Sequence, residues 1–443
     1  MKMALAIFLN AALLAVLLPW LGRQWRQARG WVRAALAFGL GARLLVGIVH
    51  ARHLVQDAER MSGYGRLLTA QFWVDPAAAI HTLGSDEMRF AGREVVFYGM
   101  SNTFFFAKVL GVTNLASMGT NWLNAVYLSI FCFVGCWQLV RALSQTFPKT
   151  PVAAGMLAFV LWPSVIYWAS GIVKESVVLG SGAWMLAVFI ELFYGGKRVT
   201  GTRLWLGITG LLLLGILHFK MRYFFAVPLF GGLTVLIVVS VLQRLGLVRS
   251  RWLQVGVAVL VLSGGAWVAS EVSIVFRLNK FTSQLMYMRT QGVHASAGKT
   301  FIDYPDLRPT PESVLRHVPQ AIANTLTRPW LGESFEGPYI LAGLENLLLL
   351  STLAAALLAA WRGKYGHLPF GLVLALVIQC LALAALLGIS TANLGTLHRY
   401  RSVMTPYLLL LLLQNDYAAA AFRRLGLNNQ RGWPAALAPK VPA

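Results

Sequence analysis

The stretch Trp162-Pro-Ser-Val-Ile-Tyr-Trp-Ala-Ser-Gly-Ile-Val-Lys174-Glu175-Ser176 decides how the chain is read. It lies between two apolar runs, 152–167 and 177–193. Only a few residues separate them, so the chain must reverse there at a membrane face. Two opposite charges, Lys174 and Glu175, stand at that reversal, with Pro163 and Gly171 loosening the helix on the approach. An ionisable residue at membrane depth costs about 2.5 kcal/mol or more, which makes it a functional hypothesis by default. For every other charge, the question is whether it can share a site with this pair.

Outward from that stretch, apolar runs dominate. Of 443 residues, 57% are hydrophobic and 12% are charged. The runs are continuous, not alternating, so the spanning segments must be α-helices and not outer-membrane strands. Their spacing predicts eleven helices, near 3–22, 34–51, 120–140, 152–170, 176–194, 204–219, 223–242, 252–270, 339–360, 368–388 and 402–419. The fold class is therefore an all-α polytopic integral membrane protein, with 1–443 as a single membrane domain. Cys132, Cys136 and Cys380 fall inside apolar runs and read as packing residues.

The formal net charge of +22 is explained by where the cations lie. The short links 23–33, 141–149, 197–203, 244–251, 362–364 and 423–440 carry eighteen Lys and Arg and no Asp or Glu. They alternate with links that hold the acids. This is the positive-inside pattern of a multi-pass protein, and it removes the need for a nucleic-acid partner. Arg23, Arg26, Arg29 and Arg33 follow the first apolar run, which predicts an outside N terminus and a cytoplasmic tail over 420–443. Pro434–Ala443 is expected to fray.

Two outer loops are long, 53–119 and 271–337. The first holds Asp57 and Glu59 just after the second helix, then an aromatic-rich run, 95–111, expected to form an interfacial or re-entrant helix. In the second, Ile274, Leu278, Phe281, Leu285 and Met288 recur at helical spacing, with Arg277, Lys280 and Arg289 off that stripe. That pattern suits a helix lying on a membrane surface. Thr310-Pro-Glu then reads as the capped start of a second amphipathic helix through Val314, Leu315, Val318, Ile322 and Leu326.

Five outer links bear charge: Asp57/Glu59, Lys174/Glu175, Lys220/Arg222, Arg328/Glu333/Glu336 and His398/Arg399/Arg401. Glu345 sits two turns into an apolar helix, where an acid either pairs with a base or takes part in chemistry. Surface acids and snorkelling cations are the plain reading of each group alone. The convergence of all five on one face favours a shared site. There the cations Lys174, Lys220, Arg222, Arg328, Arg399 and Arg401 would bind an anion such as a lipid phosphate. Glu175, Glu333, Glu336, Glu345 and His398 would support them. No cofactor is demanded. Asp57, Glu59 and Glu87 have the oxygen ligands of a divalent metal, but no spacing requires one.

The motifs Pro163-Ser-Val-Ile-Tyr-Trp-Ala-Ser-Gly-Ile-Val-Lys-Glu175, Arg328-Pro-Trp-Leu-Gly-Glu333 with Leu344-Glu-Asn346, and Asn393-Leu-Gly-Thr-Leu-His-Arg-Tyr-Arg401 resemble a group of bacterial inner-membrane proteins of surface-polysaccharide assembly. These are similar to polyprenyl-phosphate-dependent glycosyltransferases of the GT-C type. The resemblance covers about 50–410. It implies a multi-pass bacterial inner-membrane enzyme whose N terminus and active site are periplasmic. Such an enzyme transfers a sugar or oligosaccharide from a polyprenyl-(pyro)phosphate donor to a glycan acceptor. The acidic residue that GT-C enzymes carry in the first large outer loop maps onto Asp57 or Glu59. Here the usual adjacent acidic pair is split by Ala58, and an extra helix precedes the loop.

The compartment argues the same way: outside the cytoplasm there is no nucleotide-sugar pool, so the donor must already be in the bilayer. Three alternatives stay open. One is a polysaccharide polymerase or ligase relying on His398, Arg399 and Arg401. Another is a transporter or flippase of lipid-linked glycan, and the last is a non-catalytic scaffold. The sugar, linkage, acceptor and oligomeric state are not written in the sequence.

Overall fold

A computed structural model describes residues 1–97, 101–195, 200–298 and 300–427. The expected tail at 428–443 lies outside the described residues. The chain opens with α1 (Lys2–Gln27) and α2 (Trp31–Arg52). The first long loop then forms α3 (Gln56–Val74), α4 (Pro76–Gly84), strands β1 (Glu87–Phe90) and β2 (Arg93–Val96), and α5 (Asn102–Ser117). Next come α6 (Asn121–Thr146), the short α7 (Val152–Met156) and α8 (Pro163–Trp168), α9 (Lys174–Tyr194), α10 (Thr202–Met221), α11 (Tyr223–Arg244) and α12 (Arg251–Val272). The chain closes with α13 (Leu278–His294), α14 (Pro311–Thr327), α15 (Gly337–Trp361), α16 (Phe370–Ser390), α17 (Leu394–Leu413) and α18 (Asp416–Arg424).

Among the described residues, nine helices are long and apolar enough to cross a membrane: α1, α2, α6, α9, α10, α11, α12, α15 and α16. The protein is an all-α multi-pass membrane protein. Two of the eleven expected helices differ from their reading. The one near 402–419 starts earlier, at Leu394, so that His398, Arg399 and Arg401 lie on α17 itself.

The other difference has a clear physical cause. Residues 152–170 do not form one helix: α7 opens into a π turn at Leu157–Leu161, and α8 restarts at Pro163. Pro163 has no N–H for the Phe159 carbonyl four residues back, and its ring crowds that carbonyl. Arg43, fully buried in α2, supplies the missing donor. Its Nη2 donates to Phe159 O at 2.9 Å, and its Nη1 to Ala169 O at 3.1 Å. Gly171 then turns the chain at φ +88°. The Gly171 N–H donates to Ser129 Oγ at 2.9 Å, and a Cβ at Gly171 would lie 3.2 Å from Gly47 Cα.

The helices cluster into two compact units. In the first, made of 1–148 and 159–223, α6 packs against α2 and α9, and α9 packs against α10. The 53–119 segment has a small core of its own, where α3 lies along α5 around Leu68, Ala79, Met88, Phe104 and Ala107. The aromatic run begins its helix later than expected, at Asn102, and carries it past Gly111 to Ser117. A β-hairpin precedes it. The hairpin turn places Ala91 at φ +53° and Gly92 at φ +72°. Only Gly92 carries the residue type that signals such a turn, so the sequence reading missed the hairpin.

In the second unit, made of 149–158 and 224–427, α14 packs on α16, and α17 packs against α15 and α16. Of the two expected amphipathic helices, α14 forms where expected; the other begins only at Leu278, with Ile274 in a separate 3₁₀ turn (Ile274–Phe276), and Arg289, expected off the apolar stripe, is buried and donates from Nη2 to Ile302 O at 2.8 Å. Thr310 Oγ1 caps α14 by accepting from the Ser313 N–H at 3.3 Å. That helix buries Val314, Ala321 and Thr325, and Thr325 donates to Ala384 O of α16 at 2.8 Å.

Candidate functional site

In the first unit the charges singled out from the sequence are built into contacts. Lys174 is the first residue of α9, where a cation opposes the helix dipole. It is 5% exposed, and its ammonium donates to Asn102 Oδ1 at 2.9 Å and Thr103 Oγ1 at 3.0 Å. Both acceptors belong to the first turn of α5. Glu175 is fully buried and accepts from Arg222 Nη2 at 2.8 Å. Arg222 occupies the one-residue link between α10 and α11, so the tight hairpin itself delivers the guanidinium. Two turns further along α9, Ser181 Oγ and His218 Nδ1 are 2.8 Å apart.

These bonds bring together the start of α9, the end of α10 and the first turn of α5. Lys220, exposed on the last turn of α10, lies close enough to Lys108 of α5 to act on its charge. Burial holds the Lys108 ammonium below the ordinary lysine value, Asp86 opposes that shift, and Lys220 adds to it. Lys108 donates to Ser85 O at 2.6 Å and stands 4.4 Å from the centre of the Phe104 ring. Three ammonium groups thus border α5. An arriving anion would relieve the Lys108–Lys220 repulsion.

Asp57 and Glu59 lie in the first turn of α3, and both are exposed. Among the described residues neither carboxylate has a hydrogen bond or ion pair, and the backbone N–H of Glu59 donates to Val55 O at 3.0 Å. Acids there favour the helix N terminus. Among the described residues no three His, Cys, Asp or Glu side chains gather to hold a metal ion, so Asp57, Glu59 and Glu87 do not form such a group.

The second unit makes its own cluster. Arg328 pairs with Glu333, whose second oxygen accepts from the Trp330 N–H at 2.8 Å. Arg401 is 2% exposed, and its Nη1 donates to Thr325 O at 3.0 Å, Arg328 O at 2.9 Å and Asn346 Oδ1 at 3.0 Å. It gathers the end of α14, the following loop and α15. Glu345, half-buried on α15, adds its negative charge to the surroundings of Arg401. His398 and Arg399 are half-buried on α17, and Glu336 is exposed where α15 begins.

Sequence reasoning passed over Lys108, Asn102, Thr103 and Arg43. Arg43 left a readable signal, as a lone charge inside an apolar run. Lys108 left the same signal inside the aromatic-rich run 95–111, whereas Asn102 and Thr103, two small polar residues, left none.

The fold defines a class, a multi-pass helical membrane protein, in which contacts from the start of α9 and the end of α10 meet α5. No protein-family model, no curated protein and no solved structure matches the chain.

Proposed function

We propose that this protein transfers a sugar or oligosaccharide from a polyprenyl-(pyro)phosphate donor to a glycan acceptor during surface-glycan synthesis. The reaction belongs on the face of a bacterial inner membrane opposite the basic links. The observation that carries this reading is the set of ammonium groups bordering α5. Lys174 is fixed by Asn102 and Thr103, and Lys220 adds its positive charge to the surroundings of Lys108. A lipid-borne phosphate at the interface meets these cations while its chain stays in hydrocarbon. Negative charge that develops on the leaving phosphate is stabilised there. Asp57 is the base toward the acceptor hydroxyl, with Glu59 second.

Asp57→Asn is expected to reduce glycan transfer by about 10²–10⁴-fold, the usual contribution of a general base. Membrane insertion and thermal stability should be unchanged, because the side chain is exposed. The measurement is incorporation of labelled sugar into glycan by purified protein supplied with polyprenyl-linked donor. Full activity in this variant removes the base assignment.

A second reading, flipping of a lipid-linked glycan, is favoured by the interruption at Trp162–Pro163, because broken helices line the substrate paths of transporters. Here Arg43 occupies the freed carbonyl. Reconstituted vesicles that move the lipid across without forming a covalent product would establish that reading.

A further inference from the structure

A pocket of about 270 Å³ opens in the first unit, walled by Lys2 at the start of α1, by Arg66 and Trp73 of α3, and by Asn114 of α5. It does not include Lys108, Lys174 or Lys220. Two cations line it and no carboxylate does. Lys2 Nζ stands 5.7 Å from the centre of the Trp73 ring. The described bonds of Arg66 use Nη1 alone, toward Ser62 Oγ at 3.0 Å and Asn121 Oδ1 at 3.3 Å, which leaves Nη2 and Nε of the fork.

Asn114 is the independent observation. It is 2% exposed, and its Oδ1 accepts from Asn124 Nδ2 at 2.7 Å and from Ser117 Oγ at 3.4 Å. Those bonds fix the amide. Its Nδ2 is left with no hydrogen-bond partner and is closed off from solvent. A buried donor without an acceptor costs about 1–3 kcal/mol, a cost that a ligand oxygen removes once the pocket wall formed by Asn114 opens to it. The rim is strained as well. Met118, a non-glycine residue at φ +55°, is followed by Gly119 at φ +78°. Such backbone concentrates at ligand clamps. A Cβ on Gly119 would meet the Arg66 stem at 3.6 Å, so this turn lies against that side chain.

We propose that this pocket binds a phosphate group, carried either by a lipid headgroup or by a free phosphorylated compound. Its donors come from three different helices. A tetrahedral phosphate presents oxygens in enough directions to meet all three, and a planar carboxylate does not. Two cations match the charge of a phosphomonoester or exceed that of a diester. The volume sits near the lower bound of about 300 Å³ for small-molecule pockets, so it admits a headgroup and excludes a lipid chain. The site is separate from the α5 lysines invoked for the sugar donor, and its test is independent of glycan transfer.

The test uses full-length Lys108→Gln/Lys174→Gln/Lys220→Gln protein, which removes binding at the three lysines bordering α5. In neutral detergent, equilibrium dialysis with labelled inorganic phosphate should show binding that Arg66→Gln weakens by at least about tenfold, since each charge-assisted bond contributes about 1.5–3 kcal/mol. Lys2→Gln, at an exposed position, should weaken it in the same direction and guards against a folding defect in the Arg66 variant. In a second arm, protein from vesicles of phosphatidylcholine with phosphatidylglycerol is examined by native mass spectrometry. Phosphatidylglycerol retained by the parent and lost in Arg66→Gln identifies a lipid headgroup. Phosphate binding without retained lipid identifies a free phosphorylated ligand. Equal phosphate binding and equal lipid retention in parent and variants overturn the proposal.

Discussion

Glu175 is fully buried, and the Arg222 side chain that reaches it is only 10% exposed. Removing one partner of such a pair strands the other charge, which typically costs about 3–5 kcal/mol, whereas replacing both by apolar groups costs far less. Arg222→Met alone and Glu175→Leu alone are therefore expected to lower the unfolding temperature in detergent sharply. The double variant should recover most of the loss. Additive losses in this cycle would show that the two side chains are not coupled. Lys174 plays a different part. It sits where the dipole of α9 disfavours a cation and is held by neutral oxygens of α5. Its two bonds tie the start of α9 to the first turn of α5.

At the scale of elements, the interrupted segment between α7 and α9 depends on the turn at Gly171 and its close approach to α2. Gly171 has φ +88°, a conformation that costs other residues about 1–2 kcal/mol, and a Cβ there would press on Gly47 of α2 at 3.2 Å. Gly171→Ala is expected to destabilise by at least about that amount. Gly63→Ala, on α3 with open space around the added methyl, should be neutral or stabilising by about 0.5–1 kcal/mol. Thermal unfolding of the two variants side by side checks this, and equal melting temperatures would refute the role given to Gly171. The apolar run around 152–167 was legible as membrane-embedded. Its break was not, because a proline in a membrane helix often only bends it. Here Arg43, more than a hundred positions away, makes the opened carbonyl tolerable.

For the whole molecule, the alternation of spanning helices carries a prediction about topology. Between the 53–119 segment and the start of α10 stand α6, the interrupted segment of α7 and α8, and α9; with the interrupted segment crossing alongside the two spanning helices, three crossings put Thr202 on the face opposite the first loop. The native cysteines, Cys132, Cys136 and Cys380, are all buried, so a membrane-impermeant maleimide should see only introduced thiols. Ala77→Cys, exposed in α4, is expected to label in intact cells, and Thr202→Cys, exposed at the start of α10, only after permeabilisation. The reverse pattern would overturn the periplasmic assignment of the first loop.

The sequence by itself determined the class. Hydrophobic runs of spanning length and the charge bias of the links are local properties, and bilayer thickness converts them directly into helices. It also marked Lys174, Glu175 and Arg222, because a charge beside an apolar run is conspicuous wherever its partner lies. The partners themselves were decided only in three dimensions. Arg222 meets Glu175 across 47 positions, Lys174 meets Asn102 across 72, and Arg43 meets Phe159 across 116. The hairpin of β1 and β2, the helix α3 and the pocket floored by Asn114 were equally hidden. No periodicity in the chain records which helix faces come to lie together. That choice is made by packing, when small residues such as Gly65 and Gly111 let α3 and α5 approach closely and buried polar groups find acceptors.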